Sequence, residues 1–503
     1  MARPPEEPPP RFDPRRRHAV TIALVLVTAL ASFESTVVST AMPTIIGELR
    51  GLSLYSWVFS VYLLTATVTM PIYGRLADLY GRRRILLGAI TLFVSGAAAC
   101  AAARSMRALI VARAIQGLGA GGLMPVALVV VADLFSLRER ARVQGLFSSV
   151  WGVAALAGPI LGAALTMSFG WRSIFSINLP LGVVAFALVA VQMVESRAST
   201  PEPLDVTGAA ALTGGVTALL LGALRQAGDG EGPSGSARAA LLFAGLALVA
   251  LFSWLQARRE HPLVPPELFR EARTIAPYAG AVLLGTTIFG VDTFVPLFVQ
   301  GTRAGTAIAA GAVVTPVVLL WAVSASVAAR AVVAYGFRRA AQAGATLILF
   351  GLLGLLSAAL CRASVPVITG TCALIGAGLG PSSMSQVLAI QHAAEEKVRG
   401  VATSLVPFFR AAGGALGVAA LGALLASGLS HRLGPHAEAA ATLLAHGRRA
   451  GAATVAAEPL ARALEASLLP VFALLLALAA LNLLAACFFP KRAEDAQATT
   501  RDT

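Results

Sequence analysis

The sequence has little charge for its length. Only 13% of its 503 residues are Asp, Glu, Lys or Arg, whereas 57% are hydrophobic. Soluble domains carry about 25% charged residues, so this composition excludes an ordinary soluble protein. The 39 basic residues outnumber the 25 acidic ones, but in so apolar a chain the surplus is expected at a membrane surface. We therefore predict an integral membrane protein with no nucleic acid partner.

Signals for catalysis and for cofactors are also missing. The four cysteines, Cys100, Cys361, Cys372 and Cys487, fall in apolar runs at unrelated spacings, which excludes a disulfide framework and a zinc site. No G-x-x-x-x-G-K-[ST] loop and no His-rich or Cys-rich cluster is present. These absences predict no metal, no cofactor, no ATP-driven pump and no enzyme.

Fourteen apolar runs are long enough to cross a bilayer core of about 30 Å. An even number places both termini on one side. Loops on that side carry 25 of the 39 basic residues and the opposite loops carry 12, so the positive-inside rule predicts cytoplasmic termini. The predicted spans cover about residues 19–42, 54–74, 84–103, 108–133, 142–167, 172–194, 206–226, 238–257, 275–300, 308–330, 339–361, 366–391, 401–428 and 467–489.

The chain repeats itself at an offset of 255 residues. The first series is Arg75, Tyr80, Gly81, Arg83 and Arg84, matched by Arg330, Tyr335, Gly336, Arg338 and Arg339; the second is Val143, Gly145, Ser149, Gly158 and Gly162, matched by Val398, Gly400, Ser404, Gly413 and Gly417. Eight spans fit into this offset, so two six-span halves flank two extra spans. The predicted parts are a cytoplasmic tail 1–18, a bundle 19–197, an inserted pair 198–273, a bundle 274–490 with an outer loop 429–466, and a tail 491–503.

The loop between spans 2 and 3 runs Gly-Arg-Leu-Ala-Asp-Leu-Tyr-Gly-Arg-Arg-Arg from Gly74 to Arg84. Gly74 and Gly81 permit close backbone approach and a sharp turn. The arginines hold the loop on the cytoplasmic side, a task that needs no acid. Asp78 therefore either offsets its arginine neighbours or has a function of its own.

This loop resembles the helix 2–3 signature of the major facilitator superfamily, and the whole layout resembles its fourteen-helix drug:proton antiporter family. The resemblance implies an all-α membrane protein of two six-helix bundles, related by a parallel repeat, plus two inserted helices. It also implies a cytoplasmic latch that opens and closes as the bundles rock. The latch residues would be Gly74, Arg75, Asp78, Gly81, Arg82 and, at the end of span 4, Asp133.

Only two carboxylates, Glu34 and Asp292, lie deep inside predicted spans. A charge there costs about 2.5–3.5 kcal/mol, so each needs a partner or a water-filled cavity. Glu34 resembles the acid of the family's helix 1 motif, although that position is usually Asp. Arg113 resembles the arginine of its helix 4 motif. We predict that Glu34 faces Arg113 and carries protons, and that Asp292 pairs with Arg410 as a second candidate site for protons or substrate; which of the two acids is the main proton site is left open. The alternative is that each carboxylate pairs with an arginine only to offset the free-energy cost of burying its charge.

Span 5 carries Gly158, Pro159 and Gly162, which resemble the antiporter signature found in exporters of the superfamily. The alternative is ordinary close packing of small residues, which is common in membrane bundles. Four further residues, Trp57, Tyr62, Gln116 and Phe408, are candidates for a substrate wall, with plain packing as the alternative reading.

Together these features predict a proton-coupled secondary transporter that exports hydrophobic, cationic small molecules by alternating access. The alternatives are export of an endogenous metabolite, lipid-like molecule or siderophore, and a membrane-embedded sensor or enzyme. We expect a monomer in a bacterial plasma (inner) membrane, with the substrate, protons and lipid as partners. A periplasmic adaptor is left open.

Overall fold

The computed structural model describes residues 14–50, 54–194, 203–223, 235–303, 307–433 and 457–491. The predictions for residues 1–13, for the 195–202 part of the linker, for most of the outer loop and for the tail beyond residue 491 lie outside these ranges. Within them the chain forms fifteen α-helices, one 3-10 helix and no strand.

The α-helices are numbered in chain order. They are α1 (Pro14–Leu49), α2 (Tyr55–Tyr80), α3 (Arg82–Ala101), α4 (Met106–Leu134), α5 (Leu137–Phe169), α6 (Ser173–Ser176), α7 (Asn178–Gln192), α8 (Val206–Ala223), α9 (Gly235–Arg258), α10 (Ala272–Thr302), α11 (Ala307–Tyr335), α12 (Phe337–Leu360), α13 (Val365–Ala393), α14 (Arg399–Leu433) and α15 (Ala457–Ala486).

In the described part of the chain, fourteen helical segments are long and apolar enough to cross a membrane, with α6 and α7 together forming one of them. This number confirms the prediction. Several helices extend beyond the predicted spans; α1 begins at Pro14 and α14 ends at Leu433, because a helix that leaves the bilayer can continue with polar residues. A 3-10 helix over Pro266–Phe269, which was not predicted, starts with proline at its first position.

Helices α1–α7 form the first bundle and α10–α15 the second, while α8 and α9 pack together and α8 contacts α2 and α14. The predicted fold class is thereby confirmed. The repeat is visible in the backbone, since Gly81 joins α2 to α3 with a φ of 95° and Gly336 joins α11 to α12 with a φ of 87°. Residues with side chains rarely adopt such values, which explains glycine at both positions.

The two bundles share a hydrophobic core at one end of the molecule and have separate cores at the other. We call the shared end the latch face; it contains the C-termini of α2 and α4 and the N-terminus of α14. There Val401, Ala402 and Leu405 of α14 belong to the same core as the first bundle. At the opposite end, Trp171 and Phe298 lie in two different cores.

Candidate functional site

The structure brings Glu34 of α1 and Arg113 of α4 into contact, as the motifs predicted. Arg113 Nη1 donates to Glu34 Oε1. The other carboxylate oxygen, Oε2, accepts from Asn178 Nδ2 of α7 at 2.8 Å. Glu34 is 2% and Arg113 1% exposed. The pair is therefore enclosed by protein and faces neither lipid nor an open passage.

The Arg113 guanidinium is held from three further directions. Its Nη1 also donates to Gln116 Oε1 at 2.9 Å, and its Nε donates to the Val58 carbonyl at 3.2 Å. The Tyr62 ring lies 4.0 Å from Arg113 Cζ, a cation–π contact. Because these contacts fix a planar group in one orientation, Glu34 meets a preorganised positive charge.

Sequence reasoning missed two members of this site, Asn178 and the Val58 carbonyl. Asn178 was visible as a polar residue in an apolar span, a weak signal for a buried hydrogen bond. The Val58 carbonyl left no signal, because a backbone acceptor is independent of residue type. The site therefore draws on α1, α2, α4 and α7.

The latch face places Asp78 against the second bundle. Its Oδ1 accepts from Gly400 N at 2.9 Å and its Oδ2 from Val401 N at 2.9 Å. Both amides belong to the first turn of α14, where N–H groups lack partners within the helix and an anion is favoured. Arg82 Nη2 also donates to Asp78 Oδ1 at 3.1 Å. Asp78 therefore caps a helix of the other bundle.

Asp133 makes a second connection at the latch face. It pairs with Arg82 Nε of the first bundle at 2.7 Å and with Arg399 Nη1 of the second at 3.1 Å. Arg75 is buried at the same face. The sequence prediction placed this latch within the first half of the chain and missed Arg399 together with the two α14 amides.

Glycines let the backbones meet at the latch face. A Cβ added at Gly74 would lie 2.7 Å from the Gly400 carbonyl oxygen, closer than real Cβ contacts come. The latch face also contains a glutamine pair, in which Gln144 Nε2 donates to Gln391 Oε1 at 3.2 Å. These contacts close this end of the boundary between the bundles.

The predicted pair of Asp292 and Arg410 is wrong. Arg410 Nη2 donates to Gln386 Oε1 at 2.9 Å, and no carboxylate among the described residues pairs with it. The Arg410 backbone packs on Gly285 of α10, seven residues before Asp292 and therefore about 10 Å along the helix axis. The sequence indicated opposite charges in two spans but not their relative positions along the helix axes.

Asp292 instead lies at an open cleft of about 270 Å³ between the bundles. Its side chain is exposed there. Leu156 of α5 lines the first-bundle side, close in sequence to the antiporter-like motif. The two glycines of the motif, Gly158 and Gly162, are buried, and a Cβ at Gly162 would collide with Thr40 of α1, whereas Pro159 is exposed. Helix α5 thus contacts the helix that carries Glu34.

The candidate substrate wall is mostly buried in this conformation. Gln116 is fully buried and holds Arg113, and Tyr62 is buried beneath the same guanidinium. Phe408 packs edge-on against Phe409 at 5.3 Å between ring centroids. Trp57 is half-buried. Their role toward a substrate stays a prediction.

A contrasting ion pair lies at the end of the molecule opposite the latch face. Glu48 Oε1 accepts from Arg172 Nη1 at 2.6 Å, and Glu48 Oε2 accepts from Trp171 Nε1 at 2.7 Å. The Arg172 hydrogen bond, followed by that of Trp171, lowers the pKa of this exposed carboxyl. Glu48 therefore stays ionised at neutral pH and provides a control acid outside the bundle interior.

Comparison with known proteins agrees with this architecture. Residues 24–418 match the family model described as the Major Facilitator Superfamily. The chain is 33% identical over 412 residues to the multidrug transporter protein MdtP of Bacillus subtilis (strain 168), covering 82% of this chain and 75% of that protein. It is 28% identical over 414 residues to multidrug resistance protein 3 of the same organism, covering 82% and 80%.

Two solved structures share the fold at low sequence identity. The human organic anion transporter MFSD10 (TETRAN) aligns with a TM-score of 0.60 and 16% identity, over 93% of this chain and 100% of that one. The proton:xylose symporter XylE aligns with a TM-score of 0.63 and 13% identity, over 97% and 100%. These likenesses concern the fold alone. With the family match over most of the sequence, they lead to one conclusion: this chain is a transporter, not an enzyme, and belongs to the Major Facilitator Superfamily.

Proposed function

We propose that this chain is a proton-coupled exporter of hydrophobic, cationic small molecules that works by alternating access in a bacterial plasma membrane, with both termini in the cytoplasm. The observation that carries the coupling is the enclosed Glu34–Arg113 pair. A membrane-buried acid that faces a fixed guanidinium can change its charge by taking up or losing a proton, and each change alters the balance of charge inside the first bundle.

The bundles contact each other more closely at the latch face than at the opposite end, and this difference supports alternating access. Asp78, Asp133 and Gln144 make contacts across the boundary at the latch face, whereas the bundles have separate cores at the opposite end. If the latch face is cytoplasmic, as the distribution of basic residues predicts, this conformation is closed to the cytoplasm and opens outward.

Export, not uptake, is supported by the span 5 motif and by the relatives, two of which are named for multidrug transport and resistance. Helix α5 links the proton site with the bundle boundary, since Gly162 packs on α1 and Leu156 lines the cleft. A change of charge at Glu34 can therefore be transmitted from α1 through α5 to the boundary between the bundles.

Accumulation of ethidium in cells that express the chain tests this function. We expect less dye than in cells without it, and recovery of full accumulation when an uncoupler collapses the proton gradient. Extrusion that continues after the gradient has collapsed would refute proton coupling. Equal accumulation with and without the chain, at verified membrane expression, would refute export of this cation.

A further inference from the structure

The two acids of the spans have opposite surroundings. Glu34 has one oxygen on Arg113 and the other on Asn178, and it is 2% exposed. Asp292 is exposed, and among the residues that the structure describes it makes no hydrogen bond or ion pair. One carboxylate is thus satisfied by the protein itself, whereas the other has no hydrogen-bond or ion-pair partner among the described residues.

The cleft at Asp292 is built from both bundles. Leu156 comes from α5, and Val314, Thr315, Val318 and Leu319 come from α11. Tyr278, near the start of α10, donates to the Ala402 carbonyl close to the latch face; Asp292 is fourteen residues further along, about 21 Å away. The cleft therefore lies between the bundles, in the half of α10 that is remote from the latch face.

The polar character of this cleft comes from one carboxylate. Thr315 donates its hydroxyl to the Gly311 carbonyl of its own helix at 3.0 Å, so it offers a ligand no strong donor. The leucines and valines supply apolar surface. A small apolar space with a single unsatisfied acid matches a molecule with a hydrophobic body and one positive charge.

We propose that Asp292 binds the cationic group of the transported molecule in this cleft, while Glu34 carries the proton without touching the cargo. The inference rests on the proposed function and assigns cation binding and proton transfer to two different carboxylates. An ammonium or phosphonium at Asp292 would neutralise the charge that the protein leaves without a counter-ion. When the bundles rock, Leu156 moves relative to α10 and α11, so the cleft changes shape during the cycle.

Binding of tetraphenylphosphonium to the full-length protein in detergent, measured by titration calorimetry, tests the assignment. We expect Asp292→Asn to weaken binding roughly tenfold or more, since it removes a charge-assisted contact. Asp292→Glu should restore part of the affinity. The matched control Thr293→Val replaces the exposed neighbour on α10 and should leave affinity unchanged. Glu34→Gln should also bind the cation normally, although it cannot couple protons.

Three results would overturn the proposal: wild-type affinity in Asp292→Asn, an equal loss of affinity in Glu34→Gln, or no binding of the cation by the wild-type protein. Elution as a single species and an unchanged unfolding temperature show that each variant is folded. Export that proves independent of the proton gradient, with Asp292-dependent binding intact, would remove the proposed coupling but leave this site standing. Proton-coupled export together with wild-type binding in Asp292→Asn would refute this binding site and leave the proposed coupling standing.

Discussion

At the residue scale, the contacts of Arg113 require a guanidinium group and not merely a positive charge. Its guanidinium reaches Glu34, Gln116 and the Val58 carbonyl at once. A lysine ammonium is a point charge on a flexible stem and cannot reproduce this planar set of contacts. The site therefore depends on arginine and not merely on a positive residue.

We expect Arg113→Lys to reduce proton-coupled export at least tenfold, because the ammonium leaves buried acceptors unsatisfied. Dye efflux normalised to the amount of protein in the membrane is the measurement. Arg172→Lys, at the exposed pair with Glu48, is the matched control and should keep wild-type efflux. Full efflux in Arg113→Lys would show that orientation of the cation is unimportant.

Asp78 gives a second prediction at this scale. Asp78→Asn replaces one carboxylate oxygen by an NH₂ group. This hydrogen-bond donor would then face another donor, either the Arg82 guanidinium or a backbone amide of α14. Loss of a charge-assisted hydrogen bond costs about 1.5–3 kcal/mol, enough to shift a two-state population tenfold or more. We expect the latch face to open. Spin labels on Arg138→Cys and Lys397→Cys, in a variant without the four native cysteines, report the distance between the bundles.

The control for this measurement is Glu395→Gln, which changes an exposed acid at the same face and should leave the distance distribution unchanged. An unchanged distribution in Asp78→Asn as well would show that the carboxylate does not hold the bundles together.

At this scale the sequence predicted contacts only where a motif carried them. The Glu34–Arg113 contact followed from two motifs. The capping of α14 by Asp78 did not, because its partners Gly400 and Val401 lie more than 320 residues away and act through backbone amides. The pairing of Asp292 with Arg410 failed since sign alone does not fix the register of neighbouring helices.

At the scale of elements, small residues decide how closely helices approach. Gly162 lets α5 reach the Thr40 and Val37 region of α1, the helix of Glu34. Gly370 on α13, in contrast, has open space around the position of a Cβ. The same residue type thus has a packing function in one helix and none in the other.

We expect Gly162→Val to destabilise the protein by about 1–3 kcal/mol through overpacking and to abolish coupled export. Gly370→Val should change neither property beyond the small helix-propensity effect. Unfolding temperatures in detergent and dye efflux from cells measure both. Equal behaviour of the two variants would show that contact between α5 and α1 does not limit function.

Element number and type were predictable because apolar length is a strong signal in membranes. The break between α6 and α7 and the Pro266–Phe269 helix were not, because each depends on a local turn and not on apolar length.

For the molecule as a whole, alternating access requires that the bundles separate at the latch face during each cycle. Gln144 and Gln391 face each other across the boundary there. We expect a short, reducible thiol cross-linker between Gln144→Cys and Gln391→Cys, in the cysteine-free background, to stop export, and reduction to restore it.

The matched cross-link joins Arg303→Cys to Glu465→Cys, whose native side chains pair at 3.2 Å within the second bundle. It should leave export intact, because the proposed rocking moves each bundle as one body. Continued export with the latch face cross-linked would contradict rocking of the bundles.

Proton movement driven by the substrate is the decisive test of the proposed role of Glu34. In proteoliposomes containing a pH-sensitive dye, a gradient of tetraphenylphosphonium should drive protons in the opposite direction through the wild-type protein and through the control Glu48→Gln. We expect no such proton flux in Glu34→Gln, although this variant should still bind the cation. Proton flux of wild-type size in Glu34→Gln, or none in the wild-type protein, would show that Glu34 does not carry the coupled proton.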